Sequence, residues 1–479
     1  MDHTTFIGRK HHLEKLKKLL KKKTASLVVV RGRRRIGKSR LIEEFAKEKR
    51  FFSFTGLAPI LQTTAQSQRE EFARQLQEQI GIGGLKATDW GDLFSLLAKE
   101  TSKGRVIILL DEISWMGSLD PNFLGKLKIA WDMQLSKNPK LILILCGSVS
   151  SWIEKNIISS TSFFGRISQK LHLEELSLPS CNKMLDALGF KGSITEKLMI
   201  LSITGGVPWY LELVNPALSA IENIKQLCFE KDGILFDEFK QIFHDLFGSR
   251  SAIYQKIVRE LINGSTPYQK IAEALDYPSG GPLSEYINEL ILSGYIEKDH
   301  TWSLKTGEES RLYQYRLSDN YLRFYLKTIE PNKHKIQKGR ITSSTLSSLP
   351  GWDAIMGFQF ENLVLHNRHL IHKKLRIDPN DIVYDNPFFQ RKTLKNRGCQ
   401  IDYLIQTRFR TLYLFEIKFS KNKVSSKVIE EVKEKMERLK IPKGFSCLPI
   451  LIHINGHSPL IEEQEFFIET IDFSNLLFE

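Results

Sequence analysis

The sequence predicts an α/β protein of several domains, with a parallel sheet at its front and a second sheet near its end. Three observations carry this. Gly32-Arg33-Arg34-Arg35-Ile36-Gly37-Lys38-Ser39 is a complete G-x-x-x-x-G-K-[ST] loop between the apolar run Leu27–Val30 and an amphipathic stretch from Arg40 to Lys49. A second apolar run, Val106–Leu110, ends in Asp111-Glu112. Far downstream, Gln400–Ile405 and Leu412–Phe419 read as paired strands carrying Asp402, Glu416 and Lys418.

Size and composition limit the rest. A chain of 479 residues exceeds one core, so two to four domains are expected, and 42% hydrophobic with 26% charged residues is ordinary for a folded soluble protein. The net charge of +14 favours a polyanionic partner beyond any nucleotide, although solubility alone would account for a basic surface. Five scattered cysteines without a C-x-x-C pair speak against a disulfide framework or a zinc site. No apolar run approaches the ~20 residues that span a bilayer. The lysine-rich start, from Lys10 to Lys23, is followed by no signal-length apolar stretch. A cytoplasmic protein without membrane attachment is expected.

Strand, loop and helix in that order are what phosphate binding needs. The glycines let the backbone curl so that its N–H groups and the helix N-terminus face a polyphosphate. Gly32, Arg35, Ile36, Gly37, Lys38, Ser39 and Arg40 are therefore the candidate nucleotide-binding residues, with Lys38 directed at the β and γ phosphates and Ser39 at Mg²⁺. In a parallel sheet the C-terminal strand ends face the ligand, so Asp111 is expected to hold the Mg²⁺ shell and Glu112 to activate the attacking water. The strand Leu141–Cys146 ends in Gly147-Ser148. Ser148 is a candidate γ-phosphate sensor, or else a cap of a helix over Ser150–Glu154. Arg166, after Phe163-Phe164-Gly165, is a candidate catalytic arginine for phosphoryl transfer, or a plain surface residue.

Phe6-Ile7-Gly8-Arg9 with Leu13-Glu14-Lys15-Leu16 resembles the box that opens AAA+-related ATPases of the archaeal-type and signal-transduction (STAND-like) groups. Gly205-Gly206-Val207-Pro208-Trp209-Tyr210-Leu211 resembles a segment of their helical lid, and Gly147-Ser148 and Gly165-Arg166 fall where those ATPases place similar elements. The resemblance covers the first half of the chain. It implies a P-loop ATPase core over 1–173 and a lid over 174–249, with Ile7, Gly8 and Arg9 near the adenine and Pro208 beside the nucleotide. It also implies possible homo-oligomers in which Arg166 serves its own or a neighbouring subunit. A lid closing on ATP would couple nucleotide state to the downstream domains.

Residues 250–330 read as a winged helix-turn-helix: helical periodicity over Ser251–Ile262, a short helix over Pro267–Leu275, a third from Pro282 to Ser293, and strands Tyr295–Lys298 and Leu312–Leu317. The third helix carries Glu285 and Glu289 and no basic residue, which favours a structural or protein-contacting role over base reading. Asp319–Leu326 resembles a segment of archaeal-type ATPases that carry an additional C-terminal domain, with Tyr325 in place of a tryptophan; its aromatic spacing reads as core packing. Serine-rich Thr342–Ser348 reads as a linker.

Side chains two apart on a strand share a face, so Glu416 and Lys418 project together, and a hairpin brings Asp402 beside Glu416. Two carboxylates and a lysine can hold Mg²⁺ and polarise water for phosphodiester hydrolysis. The pattern resembles the PD-(D/E)XK nuclease superfamily over 350–479, with Ile401 where a proline often stands. That resemblance implies a restriction-endonuclease-like α/β domain. It also implies Glu361, on a helix over Met356–Leu370, as a further metal ligand with Asp402 and Glu416, and Lys418 beside the nucleophile. Lys373, Lys374, Arg391, Lys392, Lys395, Arg397, Lys421, Lys423 and Lys427 surround the cluster and suit phosphate contact, or form a solvated basic face.

The expectation is an ATP-hydrolysing, Mg²⁺-dependent protein that couples nucleotide state to a nuclease domain acting on nucleic acid, DNA being favoured, in DNA processing or defence. The alternatives are a non-nucleolytic ATPase switch that binds nucleic acid or a protein partner and, more remotely, a chaperone-like assembly factor.

Overall fold

The computed structural model describes residues 6–59, 62–148, 151–278, 281–346, 348–392 and 397–478. Ser150, Ser279, Gly280, Ser347 and Lys395, which fall within segments read above, lie outside them. The chain divides into two compact units, one of 1–175 with 240–254 and 288–294, the other of 176–239, 255–287 and 295–479.

In the first unit, β1 (Ser26–Gly32), β2 (Arg50–Thr55), β3 (Val106–Asp111), β4 (Leu141–Ser148) and β5 (Ile167–Leu173) form one sheet in the order β2-β3-β4-β1-β5. Every neighbouring pair is parallel. The unbroken apolar runs have a simple cause: Leu27, Val29, Ile108, Leu110, Leu143 and Leu145 feed a core on one face, while Val28, Val30, Ile107, Leu109, Ile142 and Ile144 feed a core on the other. The helix after the loop spans Lys38–Ala46, shorter than the periodicity to Lys49 suggests. Strand β3 stops at Asp111, and Glu112 turns off it with φ 48°.

In the second unit, lid-region helices include Leu178–Ala187, Ile194–Thr204, Pro208–Glu212 and Ala220–Cys228. Ile194–Thr204 begins at a reciprocal Ser193–Glu196 cap and ends at Gly205, φ 61°, a conformation that favours glycine. Pro208 opens the helix Pro208–Glu212, where its missing N–H costs nothing. An antiparallel hairpin, β6 (Ile296–Trp302) and β7 (Glu309–Leu317), is longer than its sequence suggests. The C-terminal sheet runs β12-β11-β10-β9-β8, from β8 (Ile382–Gln390), β9 (Cys399–Thr407), β10 (Thr411–Lys418), β11 (Ser446–His453) and β12 (Glu469–Asp472). Its β8-β9-β10 part is antiparallel and β10-β11-β12 parallel.

The lid helices and one face of this sheet share a core that includes Leu185, Leu201, Phe360, Val364, Phe415 and Ile452. Asn320 ties the lid helix Ile194–Thr204 to the helix Trp352–His366, its carboxamide donating to the Ser202 and Gln359 carbonyls. The Asp319–Leu326 aromatics are core: Tyr321 donates to the Leu235 carbonyl, and Tyr325 stacks on Phe239 at 4.3 Å.

Two local expectations are corrected. The helix bearing Glu361 is Trp352–His366, followed by a separate Arg368–Lys374. At the break, Asn367 accepts from the Leu178 N–H and donates to the Leu363 carbonyl. The serine-rich segment holds a short helix, Ser343–Leu346, with Leu346 fully buried, so it is packed chain rather than a free linker.

Candidate functional site

The phosphate loop sits where β1 ends. A Cβ on Gly32 would meet the Leu173 carbonyl oxygen at 2.5 Å, because β1 and β5 run in register there. Gly37 has φ 84° and caps the following helix. Arg35 adopts φ 65°, which costs a non-glycine residue on the order of 1–3 kcal/mol. We expect Gly32→Ala to weaken ATP binding more than tenfold, with a lowered melting temperature, read by titration calorimetry and thermal unfolding.

Lys38 is 6% exposed, its ammonium donating to the Gly32 and Arg33 carbonyls at 3.0 Å each inside the curl of the loop. The Ser39 hydroxyl donates to Asp111 at 2.6 Å, and the Glu112 N–H donates to the other Asp111 oxygen at 3.0 Å. β4 lies between β1 and β3, which sets Ser148 beside both strand ends. Its N–H and hydroxyl donate to the Glu112 carboxylate at 3.4 and 3.3 Å. The opening segment reaches the loop through Arg9, whose guanidinium donates to the Ile36 carbonyl at 3.1 Å and to that of Glu174. Ile7 and Gly8 precede it, Gly8 at φ 74°. Arg40 is exposed on the loop helix.

Arg166 is held by Asp132 through two bonds of 2.7 and 2.9 Å, so its guanidinium is engaged by a helix rather than directed at the loop. Pro208 belongs to the second unit. Sequence reasoning missed the anchors of the loop's other arginines: Arg33 pairs with Glu175 at 3.1 Å, and Arg34 pairs with Asp245 while lying over the Trp115 ring.

The second cluster lies on the C-terminal sheet. Pairing of Phe415 with Tyr403 sets Glu416 next to Asp402, and Asp402 accepts from the Ile417 N–H at 3.1 Å. Glu416 is 2% exposed. Lys418 reaches Glu416 at 2.9 Å and Glu431 at 2.7 Å. Lys435, which sequence reasoning missed, reaches Glu416 at 2.5 Å and Asp402 at 3.5 Å. Glu361 stands within the electrostatic reach of Asp402. Asp402, Glu416 and Lys418 are thus brought together on β9 and β10, while Glu361 is linked to them only through the charge of Asp402. The oxygen-rich donor set suits Mg²⁺ or Mn²⁺. Among the described residues, however, no three His, Cys, Asp or Glu side chains are drawn together closely enough to hold a metal as they stand. The Lys435 ammonium joins Asp402 and Glu416.

Burial, then the Asp402 charge, pushes Glu361 up to about 7; burial and the Glu416 charge raise Asp402 in the same way. Burial works against the Lys435 ammonium, but Asp402 and Glu416 outweigh it and hold its pKa above the ordinary lysine value. Since the folded protein binds the Glu361 proton more tightly than the unfolded chain does, stability falls as pH rises from the ordinary 4.5 to about 7. We expect Glu361→Gln to flatten that fall, by up to roughly 3 kcal/mol, in melting curves taken between pH 4 and 8.

Of the basic residues expected around the cluster, Lys373, Lys374, Arg391, Lys392, Arg397, Lys421, Lys423 and Lys427 are exposed. Among the described residues no helix is long and apolar enough to cross a membrane.

Residues 6–214 match the model of an ATPase domain predominantly from Archaea. The chain is 24% identical over 366 residues to an uncharacterised protein of Methanocaldococcus jannaschii, spanning 75% of this chain and 76% of that one. Solved structures similar to it include a Walker-type ATPase of Pyrococcus abyssi (17% identity, TM-score 0.49, covering 67% of this chain and 96% of that one). Another is the ORC2 protein of Aeropyrum pernix in ADPNP and ADP complexes (15% identity, TM-score 0.42, 70% and 97% coverage). The front of the chain is an archaeal-type ATPase domain on a five-stranded parallel sheet, followed by a separate C-terminal sheet.

Proposed function

We propose that this protein hydrolyses ATP and uses the nucleotide state to control a divalent-metal nuclease centre in its C-terminal domain, acting on DNA. The observation that carries the reading is the convergence of Asp402, Glu416 and Lys418, with the Asp402 charge acting on Glu361, in a chain whose residues 6–214 match an ATPase domain.

At the front, Lys38 would release its loop carbonyls to meet the β and γ phosphates, with the loop N–H groups around them. Ser39 and Asp111, already in contact through oxygen atoms, form a donor set that fits Mg²⁺, which supplies charge neutralisation for phosphoryl transfer. Glu112 would take the proton of the attacking water, oriented meanwhile by Ser148. Ile7, Gly8 and Arg9 would border the adenine. Arg166 would contribute charge to phosphoryl transfer only after leaving Asp132, within one subunit or across a homo-oligomer.

At the back, Asp402, Glu416 and Glu361 would hold a divalent cation that polarises the scissile phosphate, with Lys418 at the attacking water. The exposed cations of this domain suit the DNA backbone. The division of the chain into core, lid, winged helix and nuclease-like domain belongs to this reading. Three helices and the β6–β7 hairpin over 250–330 support a winged helix with a structural role. In its third helix, Glu289 is taken by Ser151 and Tyr254. In the wing, Trp302 donates to Gln406 at 2.6 Å and stacks on Tyr384.

One observation favours the non-nucleolytic switch as a second reading: both oxygens of Glu416 are already paired with ammonium groups. Incubation with plasmid or single-stranded DNA and Mn²⁺ or Mg²⁺ decides between them. Cutting by the wild type and none by Glu416→Ala supports the nuclease; ATP hydrolysis without cutting under either metal leaves only the switch.

A further inference from the structure

The helix Lys427–Arg438 covers one face of the C-terminal sheet because Val428, Ile429 and Val432 pack with Leu412, Leu414 and Leu451. That anchoring turns Glu431 and Lys435, one helical turn apart, toward the strand carrying Glu416. The result is a closed set of charges. Lys418 bridges Glu416 Oε1 and Glu431, at 2.9 and 2.7 Å. Lys435 bridges Glu416 Oε2 and Asp402, at 2.5 and 3.5 Å. Glu431, by holding Lys418, completes the set.

We propose that Lys435 is a resident competitor for the divalent cation of this centre, and that its side chain must swing off Asp402 and Glu416 before they can share a metal. The inference rests on reading the cluster as a metal centre. A cation shared by the two carboxylates would take the place of the ammonium that now joins them. Two positive charges at that separation repel, so the ammonium and a metal ion compete for the same pair of carboxylates. The lysine stem is flexible and the Lys435 side chain is 26% exposed, so it can leave without moving the helix. Metal affinity is then set by a competition within the chain, and whatever draws Lys435 away, such as a bound phosphodiester, raises it.

Mn²⁺ binding in the absence of nucleotide tests this, by titration calorimetry and by the electron paramagnetic resonance of free Mn²⁺, with Glu416→Gln defining the signal from this centre. Lys435→Met keeps the length and loses the charge, and is expected to bind Mn²⁺ at least tenfold more tightly than the wild type. Lys435→Arg, whose planar fork can hold both carboxylates, is expected to bind more weakly; it carries the test if the methionine variant fails to fold. Glu416-dependent binding that is unchanged or weaker in Lys435→Met, or unchanged or tighter in Lys435→Arg, overturns the competitor while leaving the metal centre standing. No Glu416-dependent binding in any variant removes the metal centre and the inference together.

Discussion

Replacing Lys38 by alanine is expected to lower ATP turnover by roughly a hundred- to a thousandfold, the scale on which one preorganised charge stabilises a transition state. Lys38 is buried in the loop and bonded to two of its carbonyls, so its loss removes the ammonium and leaves the Gly32 and Arg33 oxygens without that donor. The sheet beneath should survive, because its strands are held by the two cores on its faces, and the side chain belongs to neither. Phosphate release at saturating ATP gives the rate, and circular dichroism checks the fold. Turnover near the wild-type rate would remove the phosphate loop from the mechanism.

The Glu416→Ala variant should lose DNA cutting by at least a hundredfold and lose stability as well. Alanine leaves Lys418 and Lys435 facing a cavity without the charge they share, held only by Glu431 and Asp402. Breaking a buried pair from one side costs roughly 3–5 kcal/mol. Here the lysine side chains keep 33% and 26% of their surface in water, which brings the expected cost down to roughly 2 kcal/mol. Glu416→Gln keeps the shape and separates the two effects: its melting temperature should fall less, yet its cutting should be as low. Cutting at the wild-type rate in the glutamine variant would place the chemistry elsewhere.

What the sequence made legible was local. The phosphate loop is a contiguous motif between a strand buried on both faces and a helix, and each of those signals is written within a few residues. The Asp402–Glu416 juxtaposition was legible for a similar reason, since a short turn fixes the register of β9 on β10. Contacts set by packing at a distance were not. β4 entering between β1 and β3, Arg34 meeting Asp245, and Lys435 meeting Glu416 all depend on which faces the helices bury. One signal for Lys435 existed: Glu431 and Lys435 share the polar side of a strongly amphipathic helix that comes after an E-x-K strand. The break at Asn367 had no such signal, because it depends on a hydrogen bond to Leu178 in a remote helix.

Control of the C-terminal centre by nucleotide is read from the DNA-cutting rate with and without saturating ATP, in the wild type and in Lys38→Ala under one fixed metal concentration. ATP should change the wild-type rate tenfold or more and leave the Lys38→Ala rate unchanged. Equal wild-type rates with and without ATP, or an ATP response that survives Lys38→Ala, would contradict control of the C-terminal centre by the phosphate loop.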